Sequence, residues 1–294
     1  MQAVRNSLWH RMRTRIKNCA GAAGIVAFVL FVLYALSILY PVFWAIVTSF
    51  KSYEEYAADT VAFPMVWHFE NYAAAFTSLV ANGVGMFGML LNSLWYTIGG
   101  AGLGVAVSST TAYAVSKYRF PGGRILYWVA LVTMMIPIVG AIPSQYKIYN
   151  MLGILNSPAI LVSFANGFGF NFIVQYSFYK NISWTYAEAA QMDGAGNFRI
   201  FFTIMLPQAL GLLAALFLVS SINFWNDYMG PFLFMPFMPT LAAGLFLFQY
   251  ENAGSLDIPV LFAGSLMSII PIFLLFVFFQ EKLMNMTLGG GIKG

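Results

Sequence analysis

Charged side chains vanish from six long stretches of this chain and return between them in short polar clusters. The uncharged runs cover residues 21–48, 88–115, 125–144, 157–179, 205–225 and 259–279, and none contains Asp, Glu, Lys, Arg or His. A helix rises 1.5 Å per residue, so about 20 apolar residues cross a hydrocarbon layer of about 30 Å. Backbone groups in lipid must find partners within their own segment, so each run predicts a membrane-spanning helix rather than a strand. Pro137 and Pro271 fall inside two of the runs, where local readjustment tolerates a kink. The first run is too long for the apolar core of a cleavable signal peptide, about 7–15 residues, and no convincing small-residue cleavage site follows it. It is expected to be a retained span.

Composition agrees with this pattern. The 294 residues are 60% hydrophobic and 8% charged, against about 25% charged in soluble domains, which excludes a water-covered globule. The net charge of +4 could suggest nucleic acid, but the basic residues form no single patch and instead sort by side. With the N-terminus inside, Arg5, Arg11, Arg13, Arg15, Lys17, Lys117, Arg119, Arg124, Lys180, Arg199, Lys282 and Lys293 fall on the inner side. Only Lys51 and Lys147 fall outside. Twelve against two predicts both termini in the cytoplasm. Cys19 is the only cysteine, which excludes an intrachain disulfide and argues against a cysteine-based metal site. No linker divides the chain, so residues 1–294 form a single domain. The outer segments 49–87 and 226–258 carry aromatics such as Tyr53, Tyr56, Phe63, Trp67 and Tyr72. They predict either interfacial helices anchored by rings or a landing surface for an extracytoplasmic partner.

Between the fourth and fifth runs lies the inner segment 183–207. Ser183 or Thr185 can cap a helix, and Glu188 sits in its first turns, where negative charge is favoured. Ala187, Ala189 and Ala190 are strong helix formers that leave a surface another backbone can approach. Gly194 and Gly196 break the helix and permit a sharp turn. A short second helix is expected from Asn197, with Leu206 and Pro207 opening the fifth span. The whole reads as a helix-turn-helix along the inner membrane face.

Glu188-Ala189-Ala190, three residues, Gly194, nine residues, Ile204, one residue, and Leu206-Pro207 resemble the cytoplasmic signature of ATP-binding-cassette importer permeases. The tail from Gln280 to Gly294, with Thr287, Gly290, Lys293 and Gly294, resembles that of maltose-type sugar permeases, with Leu288 and Gly289 as mild departures. Pro41 to Lys51, Asn92-Ser93, Ala112-Tyr113-Ala114, Pro137 and Trp225-Asn226-Asp227 are also similar. The resemblance implies an all-α integral membrane protein with six transmembrane helices and a cytoplasmic coupling-helix pair between spans four and five. It implies as partners a second permease subunit, two cytoplasmic ATPase subunits and an extracytoplasmic sugar-binding protein, in a bacterial inner membrane. The ATPase-coupling residues would be Glu188, Ala189, Ala190, Asp193, Gly194, Ile204, Leu206 and Pro207.

Gly289, Gly290 and Gly291 before Lys293 lack the spacing of a phosphate loop and its following helix. The chain is therefore read as non-catalytic and without a cofactor or metal of its own, ATP and Mg being bound by the partner. Ion-coupled carriers place carboxylates or histidines at membrane depth; none stands in these runs, which disfavours a secondary transporter. A membrane enzyme would need an acidic or histidine constellation, and His10 and His68 lie apart. Asn92, Tyr96, Tyr176, Asn223 and Trp225 are candidate linings of a path for a neutral polyhydroxy solute, with helix packing as the competing role of each. Glycerol phosphate or an anionic oligosaccharide remains an alternative cargo.

Overall fold

The structure is a computed structural model describing residues 21–136, 140–252 and 256–289, with side chains placed from residue 24 to residue 280. The N-terminal basic segment with His10 and Cys19, Pro137, and the tail residues Gly290 to Gly294 lie outside the described residues.

Among the described residues four helices are long and apolar enough to cross a membrane. The first, α1 (Gly21–Ser49), carries Pro41 internally. After it come α2 (Tyr53–Ala58) and α3 (Glu70–Ser78), then a four-residue hairpin of β1 (Val80–Ala81) and β2 (Val84–Gly85). Asn82 and Gly83 turn this hairpin with φ of 48° and 79°, the left-handed pair a tight two-residue connection demands. The second long helix, α4 (Met86–Lys117), follows. Apart from that hairpin, the described regular structure is helical.

Two of the six expected spans depart from a single rod. The run at 125–144 holds most of α5 (Gly123–Met135) and the start of α6 (Ala141–Met151), with Gly140 at φ 82° before α6. Thirteen residues reach about 20 Å, short of the hydrocarbon thickness. The run at 157–179 holds a 3₁₀ segment, Pro158–Phe164, and then most of α7 (Phe170–Asn181). Between them Asn166 Oδ1 accepts from the Phe168 N–H at 3.0 Å, and Gly169 takes φ 132°. Apolarity alone could not reveal these breaks, because Gly, Pro and Asn interrupt the helix without adding charge.

Irregular backbone at such depth must be buried in protein, and α4 supplies the cover. A Cβ on Gly99 would come within 2.6 Å of Leu161 Cδ1, and one on Gly104 within 3.4 Å of the Phe164 carbonyl. A Cβ on Gly100 would meet the Phe224 ring at 2.9 Å. The glycine-rich stretch of α4 is thus a groove into which the 3₁₀ segment and the fifth span press, the close approach that small residues permit in membranes. On the α7 side of α4 the contacts are polar. Ser109 Oγ and Tyr179 Oη lie 2.7 Å apart, and Gln175 Nε2 donates to Ser108 Oγ at 3.1 Å. Interhelical bonds of this kind stabilise membrane bundles by about 0.6 kcal/mol each.

The chain continues through α8 (Thr185–Met192) and α9 (Asn197–Ile200) into a π-helical turn, Phe201–Met205, and α10 (Leu206–Asn226). Short helices α11 (Met229–Phe234) and α12 (Leu241–Glu251) precede α13 (Ile258–Gly289), which holds Pro271. Helix α10 packs on α4 and α13, and α13 in turn carries α1 and α3. Much of α1 is uncovered, with Phe28 and Phe31 68% and 73% exposed. Only lipid or another apolar surface suits such a helix.

Candidate functional site

Segment 183–207 folds as a helix, a turn and a second helical arm, and its turn has a definite construction. Ser183 Oγ accepts from the Thr185 N–H at 3.3 Å, opening α8. At the other end the Ala195 N–H donates to the Ala190 carbonyl at 2.9 Å, and the Gly194 N–H to the Gln191 carbonyl at 3.0 Å. With Gly194 at φ 79°, these two bonds make a Schellman closure, in which a left-handed residue ends a helix and satisfies its last carbonyls. Nothing lies within 4 Å of where a Gly194 Cβ would stand. The requirement for glycine is therefore the backbone angle and not the space around it.

One face of α8 is internal. Ala187 and Ala190 are buried, in a cluster with Tyr179, Ile200, Phe201 and Met205. Their small size lets α8 lie close on its own bundle, while Ala189 faces out. Glu188 and Asp193 are also exposed. Beside them Met192 is 90% exposed, Phe198 83% and Tyr186 57%. Together they leave an apolar patch bare on an otherwise polar hairpin. Sequence reading missed these three, since each merely continues an apolar helical pattern; only exposure distinguishes them.

The second arm differs from expectation. Residues Asn197 to Asn226 run as one 30-residue helical rod, so the short second helix is the first turn of the fifth span. Pro207 lies inside this rod, not at a free first turn. Proline lacks an N–H and clashes with the carbonyl four residues back. The preceding turn widens accordingly, the Leu206 N–H reaching the Phe201 carbonyl, and Gln208 Nε2 donates to the Ile204 carbonyl at 2.9 Å. Ile204 and Leu206 pack against the cluster behind α8. The hairpin is thereby joined to α10 without a flexible link.

The five path candidates do not share one lining. Tyr96 is 1% exposed, its hydroxyl donates to Asp227 Oδ2 at 2.7 Å, and Phe164 and Phe224 stand edge-on to its ring at 5.3 and 5.6 Å. Trp225 is buried and its Nε1 donates to the Ser268 carbonyl at 3.0 Å. Both polar tips are satisfied inside the protein, which makes these two core residues in this conformation. Half-buried Asn92 pins α4 to the segment before α12, donating to the Pro239 carbonyl at 3.1 Å and accepting from Trp95 Nε1 at 3.2 Å. Asn223 is exposed, in a cavity of about 440 Å³ shared with Asn226 and Asp227. Tyr176 lies apart from these, packed at a tilt against Tyr127 with ring centroids 4.4 Å apart in a cleft that Glu188 also lines. Among the described residues no group of three or more His, Cys, Asp or Glu could hold a metal ion.

Comparison with known proteins places this architecture. Residues 100–283 match the family described as "Binding-protein-dependent transport system inner membrane component". The diacetylchitobiose uptake system permease protein of Streptomyces coelicolor is 30% identical over 251 residues, 84% of this chain and 81% of the relative. An arabinooligosaccharides transport system permease protein of Bacillus subtilis is 29% identical, covering 88% of this chain and 92% of the other. Among solved structures, the chain is similar to one from a bacterial ABC transporter involved in the import of the acidic polysaccharide alginate. That likeness has a TM-score of 0.73 and 28% identity over 88% of this chain and 95% of the other. The family match spans more than half of the chain and includes the hairpin and the rod continuous with it. The chain therefore belongs to the binding-protein-dependent transport system inner membrane component family, as a non-catalytic permease subunit.

Proposed function

We propose that this subunit carries a sugar or oligosaccharide inward, with six spans, both termini cytoplasmic, and the hairpin at 183–207 as the docking element for an ATPase. The observation that carries the reading is mechanical: an exposed face of Tyr186, Met192 and Phe198 stands on a hairpin continuous with α10. Nucleotide-driven closure of the partner would displace the hairpin, and the rigid rod would convey that displacement to the glycine groove of α4. A bundle re-packs between discrete arrangements, here inward- and outward-facing ones. ATP and Mg would reside on two ATPase subunits, and a second permease would cover apolar surface such as that of α1. A loaded binding protein would bias the outward state through its differential affinity. Glu188 and Asp193, exposed beside the apolar face, would add polar contacts to the dock.

Carbohydrate as cargo rests on the relatives for diacetylchitobiose and arabinooligosaccharides and on six runs free of ionisable residues. Asn223 with its neighbours Asn226 and Asp227 offers amide and carboxylate groups to hydroxyls at the outer end of the rod. A second reading, an anionic oligosaccharide, is favoured by the relative that imports acidic alginate. The test is uptake into proteoliposomes of the chain with its copurifying subunits, using labelled neutral and acidic oligosaccharides. ATP-dependent accumulation of a neutral one is the expected result. Movement of solute without ATPase, or labelling of Ala189→Cys from outside, would overturn the reading.

A further inference from the structure

A cleft of about 1240 Å³ opens beside α8, and three separate segments build it. Lys117 ends α4, Arg119 and Arg124 flank the connection into α5, and Lys180 lies in the last turn of α7. Lys117 Nζ donates to the Ile182 carbonyl, and Lys180 Nζ sits 5.7 Å over the Tyr176 ring. Among the described residues none of these four cations pairs with a carboxylate, the one ion pair there being His68 with Glu70. Glu188 lines the same cleft and offsets one of the four charges. The remainder is positive, and among the described residues no group neutralises it.

The cleft has an apolar continuation. Ile125, Val129 and Val132 stand at i, i+4 and i+7 on α5, exposed by 68%, 51% and 50%, with Trp128 54% exposed beside them. That spacing makes one stripe along the helix axis, leading away from Arg124. Trp128 and Tyr127 lie where stripe and cleft meet, the position amphipathic rings take at headgroup level.

We propose that this cleft binds the phosphate headgroup of an anionic phospholipid of the cytoplasmic leaflet, with an acyl chain along the α5 stripe. A phosphate takes charge-assisted bonds from Arg and Lys, and basic pockets between spans on the cytoplasmic side suit anionic headgroups. Free phosphate would share the cations but has no use for the stripe. The proposal rests on the orientation given above, so its failure must be distinguishable from a failure of that orientation.

The chain, purified in detergent with its copurifying subunits, is titrated with phosphatidylglycerol, phosphatidylcholine or inorganic phosphate. Native mass spectrometry then counts the bound lipid. Phosphatidylglycerol should be retained selectively, and inorganic phosphate should not displace it. A cation near an anionic lipid contributes about fivefold in affinity, so R119Q/R124Q should bind about twentyfold to thirtyfold more weakly. R119K/R124K keeps both charges and should retain most binding, which separates charge from folding. Equal retention by R119Q/R124Q and the unaltered chain overturns the proposal, as does full displacement by inorganic phosphate. Retention only after the ATPase is stripped away also overturns it, since the cleft would then be an ATPase contact. Labelling of Ala189→Cys in intact cells reads orientation independently of all these outcomes.

Discussion

Replacing Gly194 tests whether the hairpin conveys force or merely decorates the membrane face. Its φ of 79° costs a residue with a Cβ about 1–2 kcal/mol. No neighbour stands within 4 Å of that Cβ, so G194A and G194L carry nearly the same intrinsic strain. A stability of about 5–15 kcal/mol absorbs it, and both variants should insert and reach normal membrane levels. The strain falls on the two bonds of the closure, from Ala195 to Ala190 and from Gly194 to Gln191. One to two kcal/mol lowers the population of the closed turn by about fivefold to thirtyfold. G194N should suffer least, because Asn enters the left-handed region more readily than other side chains. If an ATPase occupies the open space, G194L should lose more than G194A, a difference that backbone strain alone does not give. The assay is ATP-dependent uptake in proteoliposomes, together with ATPase stimulation by loaded binding protein and immunoblotted membrane level. Normal uptake and stimulation in G194L would refute the reasoning. Loss of the protein from the membrane would show instead that Gly194 serves folding.

Three further outcomes follow from the geometry. M192S/F198S removes bare apolar surface without touching the core; it should weaken copurification of the ATPase more than tenfold and leave the melting temperature in detergent within about 2 °C. Tyr96→Phe deletes the 2.7 Å bond to Asp227, whose other oxygen keeps the Gly230 N–H at 3.0 Å; a bond to a charged group is worth about 1.5–3 kcal/mol, which thermal unfolding should report. In the 52–70 segment, burial acts to raise the Glu55 pKa, but hydrogen bonds from the Ser52, Met65 and Val66 backbone outweigh it and hold the pKa low. Bonds from Val61 and Ala62 depress Asp59, and one from His68 depresses Glu70. Groups lowered on folding stabilise above the ordinary carboxylate range and lose that contribution as pH falls through the lowered value. Acid proteolysis of this segment should therefore accelerate below about pH 4; a rate unchanged on acidification through that range would contradict the assignment.

Much of the fold could be read from residues alone. Runs without charge can lie only in lipid or in a core, and their bounds fell close to those of α1, α4 and α10, while α13 begins at its run and continues past its end. Gly194 was legible too, since a helix that stops between alanines and a second apolar run needs a left-handed residue. Within positions 188–207 the turn at Gly194 was found where the spacing put it. Tyr96 and Trp225 were harder. Aromatic rings near a span's end serve a pathway and a core equally well, and only the Asp227 and Ser268 partners separate the two uses.

Local sequence fixed which segments shun water and where the backbone must turn, because hydrophobicity and left-handed angles belong to single residues and their neighbours. Packing decided the rest. The breaks in the third and fourth runs, the fusion of Asn197 with α10, the outward face of Tyr186, Met192 and Phe198, and the meeting of Lys117, Arg119, Arg124 and Lys180 each depend on segments distant in the chain. A side chain's exposure and partners are set by what lies across from it, and the order of residues does not record that.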